Sequence, residues 1–458
     1  MRFLRGAEAG LAEFAMQPRP PCEDEQSSIC RAIRAIAYDA RLICPARREK
    51  ESFAHLLAFI QYRSRALHTY RMYAGGDLYA GGLRLLNGHV LHSSMPTRVA
   101  MSGKVRQVAA GTAHSLVLTL SGEVWAFGTG GFGALGQGEG AYADHAEPML
   151  VALPVPAIQV AAGTSSSAAV LQNGELWMWG GMVDAADTGS DDVMSVGPGT
   201  GHPTRTEGVT GVTQVALGNG GHGLALTATG AVYAWGENYD GQLGMGDQLD
   251  RTEPTLVPLF SAGERGVQVA VGERHSMVLS AKGTVWAFGA RGNGKLGIGA
   301  VLPGPQPTPM RVKRTWHDAA HPATVMSISA NGDHSAMVLS NGQLWICGDE
   351  GVVRGNGASD GQVTPSIRFV ATRVENIPPV QSVCMGVGTV AAVTVDGCAL
   401  TWGMGALLPW RVLQALVGND DDWIGMIRCM QLPGDLSLAG AVSSASVWGG
   451  AHALFVMQ

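Results

Sequence analysis

The sequence predicts an all-β protein, a propeller whose blades are four-stranded antiparallel sheets. Two observations lead to this prediction. A glycine-marked unit that resembles four short strands recurs along most of the 458-residue chain. Its period is close to 50 residues, and one such sheet leaves both of its faces uncovered, so it is stable only when it stacks on copies of itself.

The clearest unit spans residues 212–259. Val212–Leu217 alternates apolar and polar residues, as a half-buried strand does. His222–Thr227 is the predicted second strand, and a tight turn at Thr229-Gly230 joins it to the third, residues 231–235. Residues 254–259 are the predicted edge strand, where the missing N–H of a proline does little harm.

Copies of this unit are recognised by a turn glycine that recurs at intervals of 52 to 59 residues. The turn glycines are Gly122, Gly174, Gly230, Gly283, Gly342 and Gly397. A short aromatic run that ends in glycine, such as EVWAFG or AVYAWG, follows the first five, and ALTWG follows the last. Eight residues before the turn glycines stand His114, Ser166, His222, His275, His334 and Thr389.

The shared pattern resembles the regulator-of-chromosome-condensation repeat. It is V-x-x-V-A-A-G-x-x-H-S-L-V-L-x-x-x-G-x-V-W-A-F-G followed by G-Q-L-G-x-G-D, and residues 105–138, 212–247 and 267–299 fit it best. Three further repeats keep the core without the G-Q-L-G tail; they begin at Ile158, Met326 and Gln381. The resemblance covers roughly the last five-sixths of the chain.

The two chain ends predict how the ring closes. Residues 441–458 match the first half of a repeat, with His452 at the histidine position. Residues 77–82 and the tail from Leu85 supply the missing second half. A blade shared between the ends removes a free sheet edge. Six complete repeats and the shared one predict seven blades over residues 73–458.

Residues 1–25 form a separate N-terminal segment, predicted to be flexible or to carry a targeting signal. They lack the long apolar core of a secretory signal. The opening MRFLRG suits a mitochondrial presequence, an alternative that Glu8 and Glu13 oppose. The sequence has no run of 18 apolar residues, so no membrane span is expected. An intracellular, cytoplasmic protein is predicted, with cytoskeletal, ciliary, nuclear or mitochondrial locations as alternatives.

Residues 26–72 are predicted to form a basic α-helical hairpin. Apolar positions recur there at intervals of three and four residues, and Pro45 separates two such runs. Residues 41–71 hold seven Arg and Lys against two Glu. The hairpin either packs on the propeller rim or docks a partner or nucleic acid.

Three insertions interrupt the repeats, at residues 181–208, 304–323 and 404–440. Long loops on a rigid scaffold are either self-packed or the place where partners bind. Apolar side chains in such loops are unfavourable in water. The candidate partner-binding residues are Arg63, Arg65 and Arg71 in the hairpin and Trp316, Trp423, Ile424, Met426 and Ile427 in the insertions.

Two glycine-rich stretches match cofactor motifs only in part. Residues 128–133 (GTGGFG) match a dinucleotide-binding motif, but a turn between strands explains them and no helix is predicted to follow. Residues 289–295 (GARGNGK) approach a phosphate-binding loop, but Leu296 stands where Ser or Thr would hold magnesium. No cofactor is therefore expected.

The repeated histidines favour a structural role over a metal site. One histidine in each blade places them around a ring, and Ser166 and Thr389 replace two of them, which predicts a hydrogen bond to a neighbouring strand. Loop aspartates lack calcium-binding spacing. Seven cysteines without a C-x-x-C pair predict free thiols in a reducing compartment. The sequence assembles no nucleophile with a base and an orienting group.

The resemblance implies several functions. The family's best-known member is an exchange factor for the small GTPase Ran that uses a β-wedge from one blade, and many relatives are interaction modules. Here the candidate wedge, residues 181–208, is rich in Gly and Asp and has little strand propensity. We therefore predict a non-enzymatic protein–protein scaffold within a larger assembly. The alternatives are a guanine-nucleotide exchange factor for a small GTPase and an organellar ribosome- or RNA-associated factor.

Overall fold

The computed structural model describes residues 78–86, 89–138, 143–181, 199–259, 264–299, 304–314, 316, 323–348, 368–386, 389–395, 399–403, 428–429, 442–448 and 452–457. Contacts divide the chain into two units, residues 1–70 and residues 71–458. All described residues belong to the second unit. The predicted segments 1–25 and 26–72 lie outside the described residues, so the helical hairpin stays a prediction.

The described residues confirm the all-β prediction. In chain order the strands are β1 (Leu78–Leu86), β2 (His89–Val99), β3 (Val105–Ala110), β4 (His114–Thr119), β5 (Val124–Gly128), β6 (His145–Leu150), β7 (Ala157–Ala162), β8 (Ser166–Leu171), β9 (Leu176–Gly180), β10 (Thr200–Arg205), β11 (Val212–Leu217), β12 (His222–Thr227), β13 (Val232–Gly236), β14 (Arg251–Leu256), β15 (Gly266–Val271), β16 (His275–Ser280), β17 (Val285–Gly289), β18 (Gln306–Arg311), β19 (Val325–Asn331), β20 (His334–Leu339), β21 (Leu344–Gly348), β22 (Arg368–Arg373), β23 (Val380–Met385), β24 (Thr389–Thr394), β25 (Ala399–Gly403), β26 (Arg428–Cys429), β27 (Val442–Trp448) and β28 (His452–Met457). Two one-turn 3₁₀ helices occupy Gly131–Gly133 and Gly292–Gly294.

These strands form seven four-stranded antiparallel sheets. Sheets 1 to 6 each take four consecutive strands: β3–β6, β7–β10, β11–β14, β15–β18, β19–β22 and β23–β26. The seventh, the closing sheet, has the order β2-β1-β28-β27 and so joins the two ends of the propeller segment. Tyr79, for example, pairs with Phe455. This is the shared sheet that the chain ends predict.

The first strand of each sheet lies against the first strand of the next, and β27 contacts both β23 and β3. The innermost strands of the described sheets therefore follow one another around a closed ring. Seven sheets are described, and the blade count for the chain as a whole stays a prediction.

The boundaries predicted for the insertions are wrong. Each contains the fourth strand of a sheet, namely β10, β18 and β26. The edge strand of sheet 3 also begins at Arg251, three residues before the predicted start. Outer strands are partly exposed, and sequences such as TGHPTR and QPTPMR carry no apolar alternation that would reveal them.

Apolar side chains fill the space between successive sheets. Every residue of β4, β8, β12, β16 and β20, the second strands of sheets 1 to 5, is buried. The turn after each of these strands needs glycine: Gly122 has φ +87°, and a Cβ there would lie 2.5 Å from the Cβ of Pro156. Gly174, Gly230, Gly283 and Gly342 also have positive φ, whereas Gly397 lies outside the described residues.

Candidate functional site

The two ends of the ring differ in their loops. Because neighbouring strands are antiparallel, the connections from first to second strand and from third to fourth strand emerge at one end, here called the loop end. The connections from second to third strand emerge at the other, the turn end. In sheets 1 to 6 the third-to-fourth connections have 14 to 24 residues, against four for the second-to-third turns. Binding residues concentrate on long loops held by a rigid scaffold.

The connection between β13 and β14 is held by one buried amide. Asn238 donates to the backbone oxygens of Asp247 at 3.1 Å and Leu249 at 3.0 Å, and it accepts a hydrogen bond from the Leu243 N–H at 2.9 Å. Arg251 pairs with Asp247 at 2.7 Å. The hydrogen bond from the Leu249 N–H lowers the pKa of the Asp247 carboxyl, and burial opposes this only in part. The loop therefore has one well-defined shape.

This rigid loop presents two apolar side chains to solvent. Tyr239 is 74% exposed and Leu249 is 66% exposed. Large apolar side chains on a preorganised loop lose little entropy when a partner covers them, which is the usual character of an interface hot spot. Sequence reasoning missed both residues, because exposure cannot be seen in a local pattern.

Phe132 is a third exposed apolar residue at the loop end. It lies in the 3₁₀ turn of sheet 1 with φ +58° and is 53% exposed. The corresponding residue of sheet 4 is Asn293, also at φ +58°, and asparagine tolerates this conformation better. A phenylalanine held there costs about 1 kcal/mol of backbone strain. The GTGGFG stretch is thus a strained turn, and in the described residues only a one-turn helix follows its strand.

Ion pairs join neighbouring sheets at the loop end. Asp240 of sheet 3 accepts from Arg274 of sheet 4 at 3.3 Å. Lys295 of sheet 4 is buried and pairs with Asp333 of sheet 5, which also accepts from Asn293 at 2.7 Å. Burial acts to raise the pKa of Asp333, but the hydrogen bond and attraction from Lys295 outweigh it and lower the pKa. These ion pairs connect sheet 3 to sheet 4 and sheet 4 to sheet 5.

The repeated histidines bond to the next sheet along the ring. The Nε2 atoms and their serine Oγ partners are His114 with Ser167 at 2.9 Å, His222 with Ser276 at 3.0 Å, and His275 with Ser335 at 2.8 Å. Each serine donates its own proton to a backbone oxygen of the preceding sheet, that of Ala134, Gln242 or Lys295, at 2.7 to 2.8 Å. The imidazole must therefore donate through Nε2–H.

Burial keeps the imidazoles of His222 and His275 neutral. It lowers the pKa of His222 to about 3 and that of His275 well below its ordinary value. Within the described residues no three His, Cys, Asp or Glu side chains are placed to hold a metal ion. Ser166 and His334 occupy the same buried position in their strands, while the side chains of Thr389 and His452 lie outside the description. A structural role accounts for the described histidines.

A second repeated contact joins the innermost strands, and sequence reasoning missed it. A glutamine in the first strand of one sheet donates through Nε2 to a backbone oxygen of the next sheet and accepts, through Oε1, from the N–H of the same residue. The pairs are Gln107 with Val160, Gln159 with Val215, Gln214 with Val269 and Gln268 with Ile328, at 2.9 to 3.2 Å. The recurring glutamine before valine was its signal in the sequence.

The structure removes one residue from the predicted partner contacts. Trp316 is only 8% exposed and belongs to an apolar cluster between sheets 4 and 5, with its ring 5.7 Å from that of Trp345. The tryptophan fills the core, so its indole has little surface for a partner. The remaining candidates lie outside the described residues and stay predictions: Arg63, Arg65, Arg71, Trp423, Ile424, Met426 and Ile427.

Two further features bear on chemistry. Among the described residues, Cys347 and Cys384 form no disulfide bond. Burial raises the pKa of the Cys347 thiol to about 12, which makes it a poor nucleophile. Across the part of the chain that is described, no helix has the length and apolarity to cross a membrane.

Comparison with known families gives matches on the repeats. A profile described as "Regulator of chromosome condensation (RCC1) repeat" matches residues 121–170 and 229–279. A second profile of the same description matches residues 105–134 and 212–242.

Three known proteins illustrate the relationship. The mitochondrial RCC1 domain-containing protein RUG3 of Arabidopsis thaliana is 32% identical over 256 residues, which cover 54% of each chain. The chain thus spans about half the length of this relative. The ultraviolet-B receptor UVR8 of the same plant is 28% identical over 63% of this chain and 73% of its own. Human regulator of chromosome condensation is 28% identical over 81% and 87%.

Two solved structures share the fold. Prp20p from Saccharomyces cerevisiae superposes with a TM-score of 0.68 and 20% identity over 86% of this chain and 94% of its own. Human WBSCR16 gives a TM-score of 0.65 and 19% identity over 83% and 100%. At these identities, both matches support the propeller fold alone.

Proposed function

Because this chain belongs to the RCC1-repeat family of β-propellers, we propose that it is a non-enzymatic protein–protein interaction scaffold. It binds partners at its loop end as one subunit of a larger assembly. The observation that carries this proposal is the rigid loop between β13 and β14, which holds Tyr239 and Leu249 in solvent.

The described ionisable groups support a structural rather than a catalytic use. His222, His275 and the pair of Lys295 and Asp333 all make contacts between neighbouring sheets. Catalysis requires such groups to converge where a substrate can reach them. In this ring each of these groups makes its contact with the adjacent sheet instead.

A guanine-nucleotide exchange factor for a small GTPase is the second candidate. It is favoured by the match to human regulator of chromosome condensation over most of both chains. Prp20p, which shares the fold, is described with binding properties to Gsp1p and histones. Exchange activity requires tight binding to a nucleotide-free GTPase that GTP reverses, whereas a scaffold binds its partners whether or not GTP is present.

A third candidate is an organellar ribosome- or RNA-associated factor. It is supported by the mitochondrial relative RUG3 and by the basic segment 26–72. RNA binding through that segment would weaken steeply with salt. For the cellular compartment we propose an intracellular location, with the mitochondrion as the alternative.

Affinity purification from the native cell tests these proposals. The full chain is compared with Tyr239→Ala/Leu249→Ala and with a matched control, Leu120→Ala/Met326→Ala. The control removes side chains that are 64% and 63% exposed near the turn end. If the protein is a scaffold, the full chain recovers one stoichiometric set of partners whether or not GTP is present. The control variant recovers the same set, and Tyr239→Ala/Leu249→Ala recovers at least tenfold less of it.

Two outcomes would contradict the scaffold. A single small GTPase that GTP strips from the full chain would establish the exchange factor instead. Equal recovery of partners by both double variants would show that the loop between β13 and β14 is not the binding surface. A version lacking residues 1–72 tests the hairpin separately, since loss of RNA with that truncation supports the third candidate.

A further inference from the structure

The turn end of sheet 2 holds a carboxylate between two donors. Glu175, in the turn between β8 and β9, accepts a hydrogen bond from the Trp177 indole N–H at 3.1 Å. Its other oxygen lies 3.3 Å from Nε of Arg205 on the outer strand β10. The hydrogen bond from Trp177 is the largest of the effects that lower the pKa of the Glu175 carboxyl. An indole N–H and a guanidinium group therefore bind a carboxylate at this position.

Sheet 4 repeats these donors without the carboxylate. Trp177 pairs with Arg205 across sheet 2. The corresponding pair in sheet 4 is Trp286 with Arg311, whose guanidinium carbon lies 5.0 Å from the ring centroid of the tryptophan. Thr284 stands two residues before Trp286, where sheet 2 has its glutamate. Within the described part of the chain, the Trp286 indole nitrogen is buried and has no hydrogen-bond partner. Sheet 4 therefore lacks an acceptor at this position.

A second guanidinium group lies beside Thr284. Arg314 donates through Nη2 to Thr284 Oγ1 at 3.2 Å. Arg311 and Arg314 are both exposed, and among the described residues no carboxylate lies within ion-pair distance of either. A carboxylate is a stronger acceptor for a guanidinium group than a hydroxyl, because the hydrogen bonds are charge-assisted. Both arginines can therefore take a carboxylate from outside the chain.

Further cations flank this position. Lys282 lies in the same turn of sheet 4, and Arg265 lies beside that turn, since its backbone oxygen accepts from the Ala281 N–H at 2.9 Å. Both cationic side chains are exposed. The sequence segments that carry the cations of this surface hold five Arg and Lys against two acidic residues; they are residues 260–267, 281–284 and 310–326. Such a surface attracts a segment with several negative charges.

We propose that the turn end of sheet 4 is a docking site for an acidic segment of a partner protein. One Asp or Glu side chain of that segment takes the place that Glu175 has in sheet 2. It accepts from the Trp286 indole N–H and from the guanidinium groups of Arg311 and Arg314. Arg314 exchanges its bond to a hydroxyl for one to the carboxylate, and the neighbouring carboxylates of the segment face the flanking cations.

The chemistry favours a protein over a nucleic acid as the partner. The same arrangement in sheet 2 holds a carboxylate, and the chain as a whole has a net charge of −6, which opposes the approach of a long polyanion. The surface lies at the turn end, so it does not depend on the function proposed for the loop end.

Nuclear magnetic resonance of the full-length protein, labelled with ¹⁵N-tryptophan, tests the site. A hexaglutamate peptide is the probe, and a hexaglutamine peptide is its uncharged control. We expect hexaglutamate alone to shift the indole N–H resonance of Trp286, which is assigned by its loss in Trp286→Phe. This readout is local, so peptide bound to the basic segment 26–72 does not produce it. An unshifted Trp286 resonance at saturating hexaglutamate would overturn the proposal.

Two substitutions that lower the net charge equally separate a built site from general attraction. Thr284→Glu supplies the carboxylate that sheet 2 has, and it should weaken hexaglutamate binding at Trp286 by about tenfold. The peptide-free variant should already show a shifted Trp286 resonance, because its own carboxylate accepts that bond. Lys282→Ala removes one charge from the same turn and should weaken binding by less than about threefold. Circular dichroism checks that both variants are folded.

Three results would contradict the docking site. Equal weakening by Thr284→Glu and Lys282→Ala would mean that charge alone attracts the peptide. A Trp286 resonance that is the same in peptide-free Thr284→Glu and in the parent would show that a carboxylate does not bind there. Hexathymidylate that shifts the Trp286 resonance at the same concentration as hexaglutamate would identify a general polyanion surface instead.

Discussion

At the scale of single residues, the buried histidines couple stability to pH. His222 and His275 donate through Nε2 to a serine of the next sheet, and burial holds the pKa of His222 at about 3. In the unfolded chain the same side chain has an ordinary pKa near 6.5. Between these values the unfolded state binds a proton that the folded state does not.

Stability should therefore fall on acidification. The contribution of His222 is complete above pH 6.5 and is lost as the pH drops toward 3, with a slope of at most about 1.4 kcal/mol per pH unit for one proton. At neutral pH the free energy of unfolding of His222→Gln should be about 1 kcal/mol lower than that of the parent. That free energy should also change less steeply with pH. Urea unfolding between pH 4 and 8 measures both.

The control for this experiment is His202→Gln, which changes an exposed histidine of an outer strand. It should leave both the stability and its pH slope close to those of the parent. If His222→Gln kept the full slope, burial of this imidazole would not be a source of the acid sensitivity.

At the scale of elements, the second-to-third turns show how a close contact selects glycine. Gly230 has φ +85°, and a Cβ there would lie 2.4 Å from the Cβ of Arg265. Gly211, which lies in the connection from β10 to β11, has φ +65°, but nothing would lie within 4 Å of a Cβ there. The two positions share unfavourable backbone geometry and differ in steric contact.

Replacement of these two glycines by alanine separates strain from crowding. Gly211→Ala should cost about 1 kcal/mol for the left-handed backbone alone. Gly230→Ala should cost about 1 to 3 kcal/mol more, because Arg265 or the turn must move. Chemical denaturation gives both values. Equal losses would mean that the turn relaxes freely and that contact with the next sheet does not select glycine.

The buried amide of Asn238 contacts more backbone groups of the loop between β13 and β14 than one substitution elsewhere in the loop would remove, so we expect its loss to loosen the loop. Asn238→Ala would leave the Leu249 oxygen and the Leu243 N–H without the amide that they contact, at a cost of about 2 to 3 kcal/mol. Limited proteolysis should cut the variant within residues 237–250. Gln248→Ala, an exposed neighbour, should cost less than about 0.5 kcal/mol and leave the loop resistant. Equal resistance of both variants would contradict the role given to Asn238.

At the scale of the whole molecule, the closing sheet makes the ring depend on both ends of the propeller segment. β1 pairs with β28 and with β2, so the inner half of this sheet comes from the C-terminal strands. In an open array of sheets, the first and last sheets each have one face that no neighbour covers. A closed ring adds one more interface between sheets, and that interface covers both of these faces.

Deletion of residues 441–458 should abolish cooperative folding at ambient temperature. It removes β27 and β28, exposes an edge of β1 and takes away the surface that contacts β3 and β23. Thermal unfolding followed by circular dichroism measures the effect, and a synthetic peptide of residues 441–458 added in trans should restore part of the transition. A truncated chain that melts like the parent would show that closure contributes nothing to stability.

The sequence alone determined the all-β class, the repeat and the shared closing sheet, because each depends on local patterns. Strand alternation, turn glycines such as Gly230 and the half-repeats at the two ends are all visible within short windows. The position of the histidines one per repeat also indicated hydrogen bonding to a neighbouring strand.

Only the tertiary structure decided what crosses from one sheet to the next. The partners of Gln159 and His222 lie more than 50 residues away, the outer strand β18 carries no periodic signal, and Trp316 is in the core rather than on the surface. The exposure of Tyr239 likewise results from a loop that Asn238 holds from within. Burial and pairing at these positions are set by the neighbouring sheet or by the folded loop, and neither is encoded in the few residues around them.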